Sequence, residues 1–234
     1  MRDRRKGDLA NVALQERHTA PFNLSERCRR VSPTSCHATV EEEVLTALLA
    51  YSDGVVSAHL LLQRFQSIGH AVAADESQLE KLGLSRRDIN LLRLVHATAR
   101  LLAAGAVRDR PMVGSWQALL DYLQTSMAYE PVEQLRMLFL DCRNHLIADE
   151  VLQRGTINHT PVYPREVVKR ALLLNASALI AVHNHPSGDP TPSRGDIEMT
   201  QELKRAAAAL DLELHDHVVI GHGKHASFRS LGLL

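Results

Sequence analysis

Aromatic residues are scarce: 4 Phe, 4 Tyr and 1 Trp in a chain of 234 residues. A protein that holds single strands of nucleic acid by stacking bases on aromatic rings needs more of them, which sets that class aside. Net charge is missing too, with 27 Lys and Arg against 27 Asp and Glu. Partner choice by bulk charge is thereby excluded, and only a local basic patch remains open. Cysteine is limited to Cys28, Cys36 and Cys142. An odd, scattered set of thiols forms no disulfide framework and no close pair for zinc, and it suits a reducing cytoplasm. No apolar run approaches the ~20 residues of a membrane helix, so no membrane partner is expected. The opening MRDRRKGDLANVALQ has charges but no apolar core behind them, unlike a secretory signal. Repeats and low-complexity tracts are absent. Histidine, by contrast, is plentiful: 13 residues, crowded toward the C-terminal end.

Three textures succeed one another. Residues 1–36 mix Arg2, Arg4, Arg5, Lys6, Arg27, Arg29 and Arg30 with small polar residues and show no apolar period, the pattern of a solvated, poorly ordered tail. Residues 37–106 read as a small all-helical domain. In VEEEVLTALLAY, Val40, Val44, Leu45, Leu48 and Leu49 recur with helical spacing, and in DINLLRLVHATARLLA so do Ile89, Leu92, Val95 and Leu102. The polar break at Arg108, Asp109, Arg110 and Pro111 predicts a boundary. From 112 to 234, helix WQALLDYLQTSM, strands EQLRMLFLD and HLIADEV joined by CRN, helix PREVVKRALLLN, buried strand ASALIAV, helix DIEMTQELKRAAAAL and strand HVVIG alternate as in a compact α/β domain.

The chemistry is concentrated in HNHPSGDPTPSRGD, residues 183–196, directly after the apolar strand. His183 and His185 are two apart, so on extended chain both imidazoles leave on one side. Gly188, Pro190 and Pro192 force a loop, after which Ser193 and Asp196 open a helix. A carboxylate there can return to the histidines as a third ligand. Two His, one Asp and a water make an open tetrahedral zinc site of the catalytic kind. Ser193-x-x-Asp196 is at the same time a capping pattern, and the two readings are compatible. Taken together, the spacing H-x-H-x7-S-x2-D is far more specific than either half.

These residues resemble the JAMM (MPN+) metalloprotease signature. Over 112–234 the chain resembles the bacterial RadC-like JAMM/MPN (JAB) family, on GTINHTPVYPREVVKRALLLNASALIAVHNHPSGDPTPSRGD, LHDHVVIG and Ser227-Phe228. The resemblance implies an α/β MPN domain, a mixed sheet flanked by helices, preceded by a small all-α module of helix-hairpin-helix type. It implies one Zn2+ per chain on His183, His185 and Asp196, with Ser193 bonding the water or the developing oxyanion. The family's upstream glutamate, which acts as general base, falls on Glu133 at the start of EQLRMLFLD, with Glu130 and Glu150 as competitors. Zinc lowers the pKa of its water from 15.7 to about 7, and a carboxylate can pass the proton on to a leaving amine. A zinc-dependent metallopeptidase or isopeptidase acting on a peptide or protein substrate is the expected activity.

The remaining histidines have blander readings. His215, His217, His222 and His225 lack a Ser or Asp at the required distance and are expected to be structural or on the surface, although Asp216-His217 matches a family element and can border the site. Asn184 and Ser187 are expected to shape the motif loop. The hairpin of the helical module is LGLSRRD, where backbone N–H groups would hold DNA phosphate. Ser85 stands where such hairpins have a second glycine, with Arg86 and Arg87 beside it. Weak DNA contact through this module therefore stands beside a purely helical interaction role. The competing function is a DNA-associated binding protein with a structural or vestigial metal site, and a zinc-dependent nuclease is a third.

Overall fold

The computed structural model describes residues 33–50, 56–108, 111, 116–155 and 163–234. Most of the basic tail and the GTINH stretch with His159 lie outside these. The chain divides into two units, Met1–Val40 and Glu41–Leu234. Helix α1, Pro33–Leu49, begins inside the stretch read as tail.

Four further helices follow in the second unit: α2 (Ala58–Phe65), α3 (Ile68–Ala73), α4 (Glu76–Lys81) and α5 (Arg86–Arg108). Ser57 and Ser67 cap α2 and α3 by accepting from Leu60 N–H and His70 N–H. Leu45, Leu61, Phe65, Leu79, Ile89 and Leu92 form their common core. Helix α5 ends at Arg108, the first residue of the expected break. Its Val107 is buried among Leu119, Leu120 and Leu123 of the next helix, α6 (Trp116–Met127). Helical and α/β textures are thus joined through packed side chains as well as through the chain.

The α/β part is a mixed five-stranded sheet in the order β2-β1-β3-β4-β5. Strands β1 (Gln134–Leu140) and β2 (Leu146–Arg154) form the predicted hairpin. Strand β3 (Ala178–Asn184) is antiparallel to β1 and parallel to β4 (Glu213–Gly221), which turns back into β5 (Lys224–Ser227). A parallel pair needs a crossover, and helix α8 (Arg194–Ala208) supplies it. Helix α6 covers one face, packing on Leu138, Leu140, Ile180, Val182, Val218 and Ile220. Helix α7 (Pro164–Leu173) and α8 cover the other, on Met137, Phe139, Leu179 and Ala181. With both faces covered, β1 and β3 are buried along their whole length. Strand alternation then sorts the site: Ile180 and Val182 point to α6, so His183 belongs to the α8 face and Asn184 to the other.

Candidate metal centre

The strand pairing of β1 and β3 sets Leu135 opposite His183, which brings Glu133, two residues earlier on the same face, beside the histidines. Glu133 Oε1 lies 3.8 Å from His185 Nε2. Across the cleft, α8 presents Asp196, Thr200, Leu203 and Ala207 as one buried stripe. Asp196 Oδ1 is 3.4 Å from His183 Nε2 and Asp196 Oδ2 is 3.7 Å from His185 Nε2. The two Nε2 atoms are 3.0 Å apart. Among the described residues, Glu133, His183 and His185 form the group of three whose ligand atoms lie within 4.8 Å of one another and could hold a metal ion.

The proton positions follow from partners that can only accept. His185 Nδ1 faces the Asp189 carbonyl oxygen at 2.7 Å, so Nδ1 donates and, in the neutral ring, Nε2 is bare. Thr200 Oγ1 donates to the Asp196 carbonyl at 2.6 Å and lies 2.6 Å from His217 Nδ1. Its single proton being committed, it accepts from His217. With Nδ1–H given to Thr200, the neutral His217 ring leaves Nε2 as the acceptor for His183 Nδ1–H at 2.8 Å. His183 Nε2 is then bare as well. Two imidazole lone pairs thus face the Glu133 and Asp196 carboxylates, acceptors that a cation would hold together. His185 is drawn toward the charged form, chiefly by the Asp196 carboxylate beside it. Burial raises the Asp196 pKa, but the imidazoles of His183 and His185 beside it and the hydrogen bond from Ser193 N–H outweigh it and hold the carboxylate well below its ordinary range. Burial moves Glu133 the other way, upward, against the pull of the two histidines. An acceptor-only set of two imidazoles and carboxylates fits a zinc-like divalent ion.

Ser193 caps α8. Its Oγ accepts from Asp196 N–H at 3.2 Å, and Asp196 Oδ2 accepts from Ser193 N–H at 2.7 Å. A hydroxyl that accepts here still has its own proton to give. The competing glutamates are engaged elsewhere. Glu130 accepts from Gln134 Nε2 at 2.9 Å and from Arg154 Nη2 at 3.0 Å, and Glu150 makes a two-pronged pair with Arg170. Asn184 does not shape the motif loop as expected. Buried on the other side of β3, it accepts from Gln134 N–H at 2.9 Å and donates to the Val132 and Glu130 carbonyls, pinning the segment that carries Glu133. Ser187 does sit in the loop, accepting from Asp189 N–H.

Residues 113–233 match the model of the RadC-like JAB domain. The chain belongs to the RadC-like JAB domain family. It is 55% identical over 194 residues to a UPF0758 protein of Rhodobacter capsulatus, covering 82% of this chain and 91% of that protein. To a UPF0758 protein of Ruegeria pomeroyi it is 48% identical over 194 residues, 82% of this chain and 87% of that one. In this RadC-like domain the buried His217 and Thr200 are the residues that sequence reasoning underweighted. Thr200 carried a signal, a hydroxyl one turn after Asp196 on an otherwise apolar stripe. His217 carried one as well, opening the apolar run HVVIG.

Proposed function

We propose that this RadC-like protein is a zinc-dependent hydrolase of amide bonds, a metallopeptidase or isopeptidase acting on a peptide or protein in the cytoplasm, with one zinc per chain. The observation that carries the reading is the grouping of Glu133, His183 and His185 within reach of one ion, with the Asp196 carboxylate against both imidazoles. His183, His185 and Asp196 would hold the ion. When bound, zinc supplies a Lewis acid that makes water a nucleophile at neutral pH. Glu133, its carboxyl pKa raised by burial, takes the proton from the attacking water and delivers it to the leaving nitrogen as the C–N bond breaks. Ser193 donates its hydroxyl proton toward the oxyanion that develops on the carbonyl oxygen. The test is cleavage profiling of peptide and isopeptide libraries with zinc-loaded protein, chelated protein and a Glu133→Gln control. Cleavage in the first alone supports the reading, and equal cleavage in all three overturns it.

The DNA-binding reading draws less support from its hairpin. Gly83 turns the chain at φ +90°, but the N-terminus of α5 behind it is already served. Asp88 Oδ2 accepts from Ser85 N–H at 3.2 Å and from Ser85 Oγ–H at 2.6 Å, while Arg86 pairs with Glu76 and Glu80. The Asp88 carboxylate thus already takes the Ser85 N–H that would otherwise face an anion at this helix start.

A further inference from the structure

The proposed ligand set leaves unexplained why two polar side chains, His217 and Thr200, are wholly buried behind it, at 0% exposure each. Polar groups in such a place are costly unless every proton has an acceptor. Here a chain of protons runs in one direction only. Thr200 Oγ–H points to the Asp196 carbonyl, His217 Nδ1–H to Thr200 Oγ1, and His183 Nδ1–H to His217 Nε2. The His217 ring is clamped against Phe228, with centroids 4.5 Å apart and planes 25° from parallel. Its backbone N–H is held by Asp216 Oδ1 at 2.8 Å. Rotation of the ring is thus blocked by stacking, and its direction is set by a hydroxyl whose own proton is committed to an acceptor that cannot reverse.

We infer that His217 and Thr200 are positioning residues that lock His183 in the Nδ1–H tautomer and aim its Nε2 lone pair at the metal point. This rests on the reading of His183 as a metal ligand and adds what holds that ligand. The relay also ties both sides of the centre together. It starts on His183 of β3, passes through β4, and ends on the main chain of Asp196, so the two strands and α8 register the ligands against one another. Removing such an outer partner costs roughly 10–100-fold in metal affinity.

Two measurements decide it, both on the full chain and neither needing an activity. First, zinc affinity is measured by competition with a chromophoric chelator. His217→Phe keeps the stack on Phe228 but offers no acceptor, and Thr200→Val keeps shape but offers no hydroxyl; both are expected to weaken zinc binding by roughly 10–100-fold. His217→Gln, whose carbonyl oxygen can accept in place of Nε2, and Thr200→Ser are expected to recover most of it. Second, 15N-resolved spectra of the metal-free wild-type protein are expected to show protons on Nδ1 of His183 and of His217. Unchanged affinity in a folded His217→Phe protein overturns the inference, and so does a proton on His217 Nε2 in the wild type. Wild-type protein with no zinc affinity would instead sink the proposed function, so the two failures are told apart. Should His217→Phe fail to fold, Thr200→Val and the wild-type spectra still decide.

Discussion

Leu135 lies directly across the β1–β3 ladder from His183, and this one pairing carries Glu133 to the histidines from a segment 50 residues away in the chain. Asn184, the neighbour of His183, holds the same segment from the opposite face through Gln134 N–H. Glu133 and His183 are thus set side by side by a backbone ladder and a buried amide.

The ligand assignment is checked by metal content. Wild-type protein is expected to retain one zinc per chain. His183→Ala and Asp196→Ala each leave a convergent site short of a donor and are expected to lose most of the metal after dialysis. Elemental analysis reads the result, and full occupancy in both variants would remove these residues from the centre.

Glu133→Gln is expected to keep zinc and thermal stability while hydrolysis falls by roughly 10²–10⁴-fold, the usual contribution of a positioned proton carrier. The amide has nearly the same shape but cannot accept the proton from water. Unaltered turnover would move the base elsewhere, although Glu130 is tied to Gln134 and Arg154.

Ser193 caps α8, and two substitutions separate that role from the proposed one toward the oxyanion. Ser193→Ala loses the cap on α8 and is expected to cost about 1 kcal/mol, whereas Ser193→Gly costs only a few tenths. Both lose the hydroxyl. If the hydroxyl serves the oxyanion, kcat falls by roughly 10²–10³-fold in both, independently of stability. Turnover that tracked the melting temperature alone would leave Ser193 as a cap and nothing more.

Gly221 ends β4 against the metal loop. A Cβ there would overlap the Gly188 carbonyl oxygen, and Gly188 itself sits at φ +82° with the His222 ring against it. The neighbouring His185 N–H donates to the Ile220 carbonyl at 2.9 Å. Gly221→Ala is expected to destabilise the protein by about 1–3 kcal/mol and to weaken zinc binding, because the backbone that must yield carries His185. Chemical denaturation and chelator competition on the same variant check both effects.

Tyr122 provides a test of the other end of the sheet. Burial, reinforced by the hydrogen bond it donates to Asp149, pushes its pKa up to about 12. A raised pKa means that the neutral phenol is favoured by folding. Its contribution is complete below about pH 10, the ordinary value, and is lost as pH climbs toward 12. Ultraviolet titration of the 4 tyrosines is expected to show a late phenolate that Tyr122→Phe abolishes. Ionisation of all tyrosines near pH 10 would contradict this burial.

Much of this protein was legible from residues alone because its signals are local. Apolar runs marked β1 and β3, helical periods marked α5 and α8, and the spacing from His183 to Asp196 put three chemistry-bearing side chains on one strand end and one helix start. A span of 14 residues can do this because strand period, loop and cap are all set by near neighbours. Which glutamate faces the histidines was a different matter. Glu130, Glu133 and Glu150 are equally acidic in sequence, and only the β1–β3 register, together with the arginines that claim the other two, separates them. The packing across the expected border was not legible either. A run of charges read as a break, yet Val107 just before it is buried in the core of the α/β part. Local polarity says nothing about which helix covers which face. His217 and Thr200 show the limit most sharply, since their roles depend on the direction of protons through three elements distant in sequence. Hydrogen-bond direction is a property of the assembled partners, so it existed only once β3, β4 and α8 had packed together.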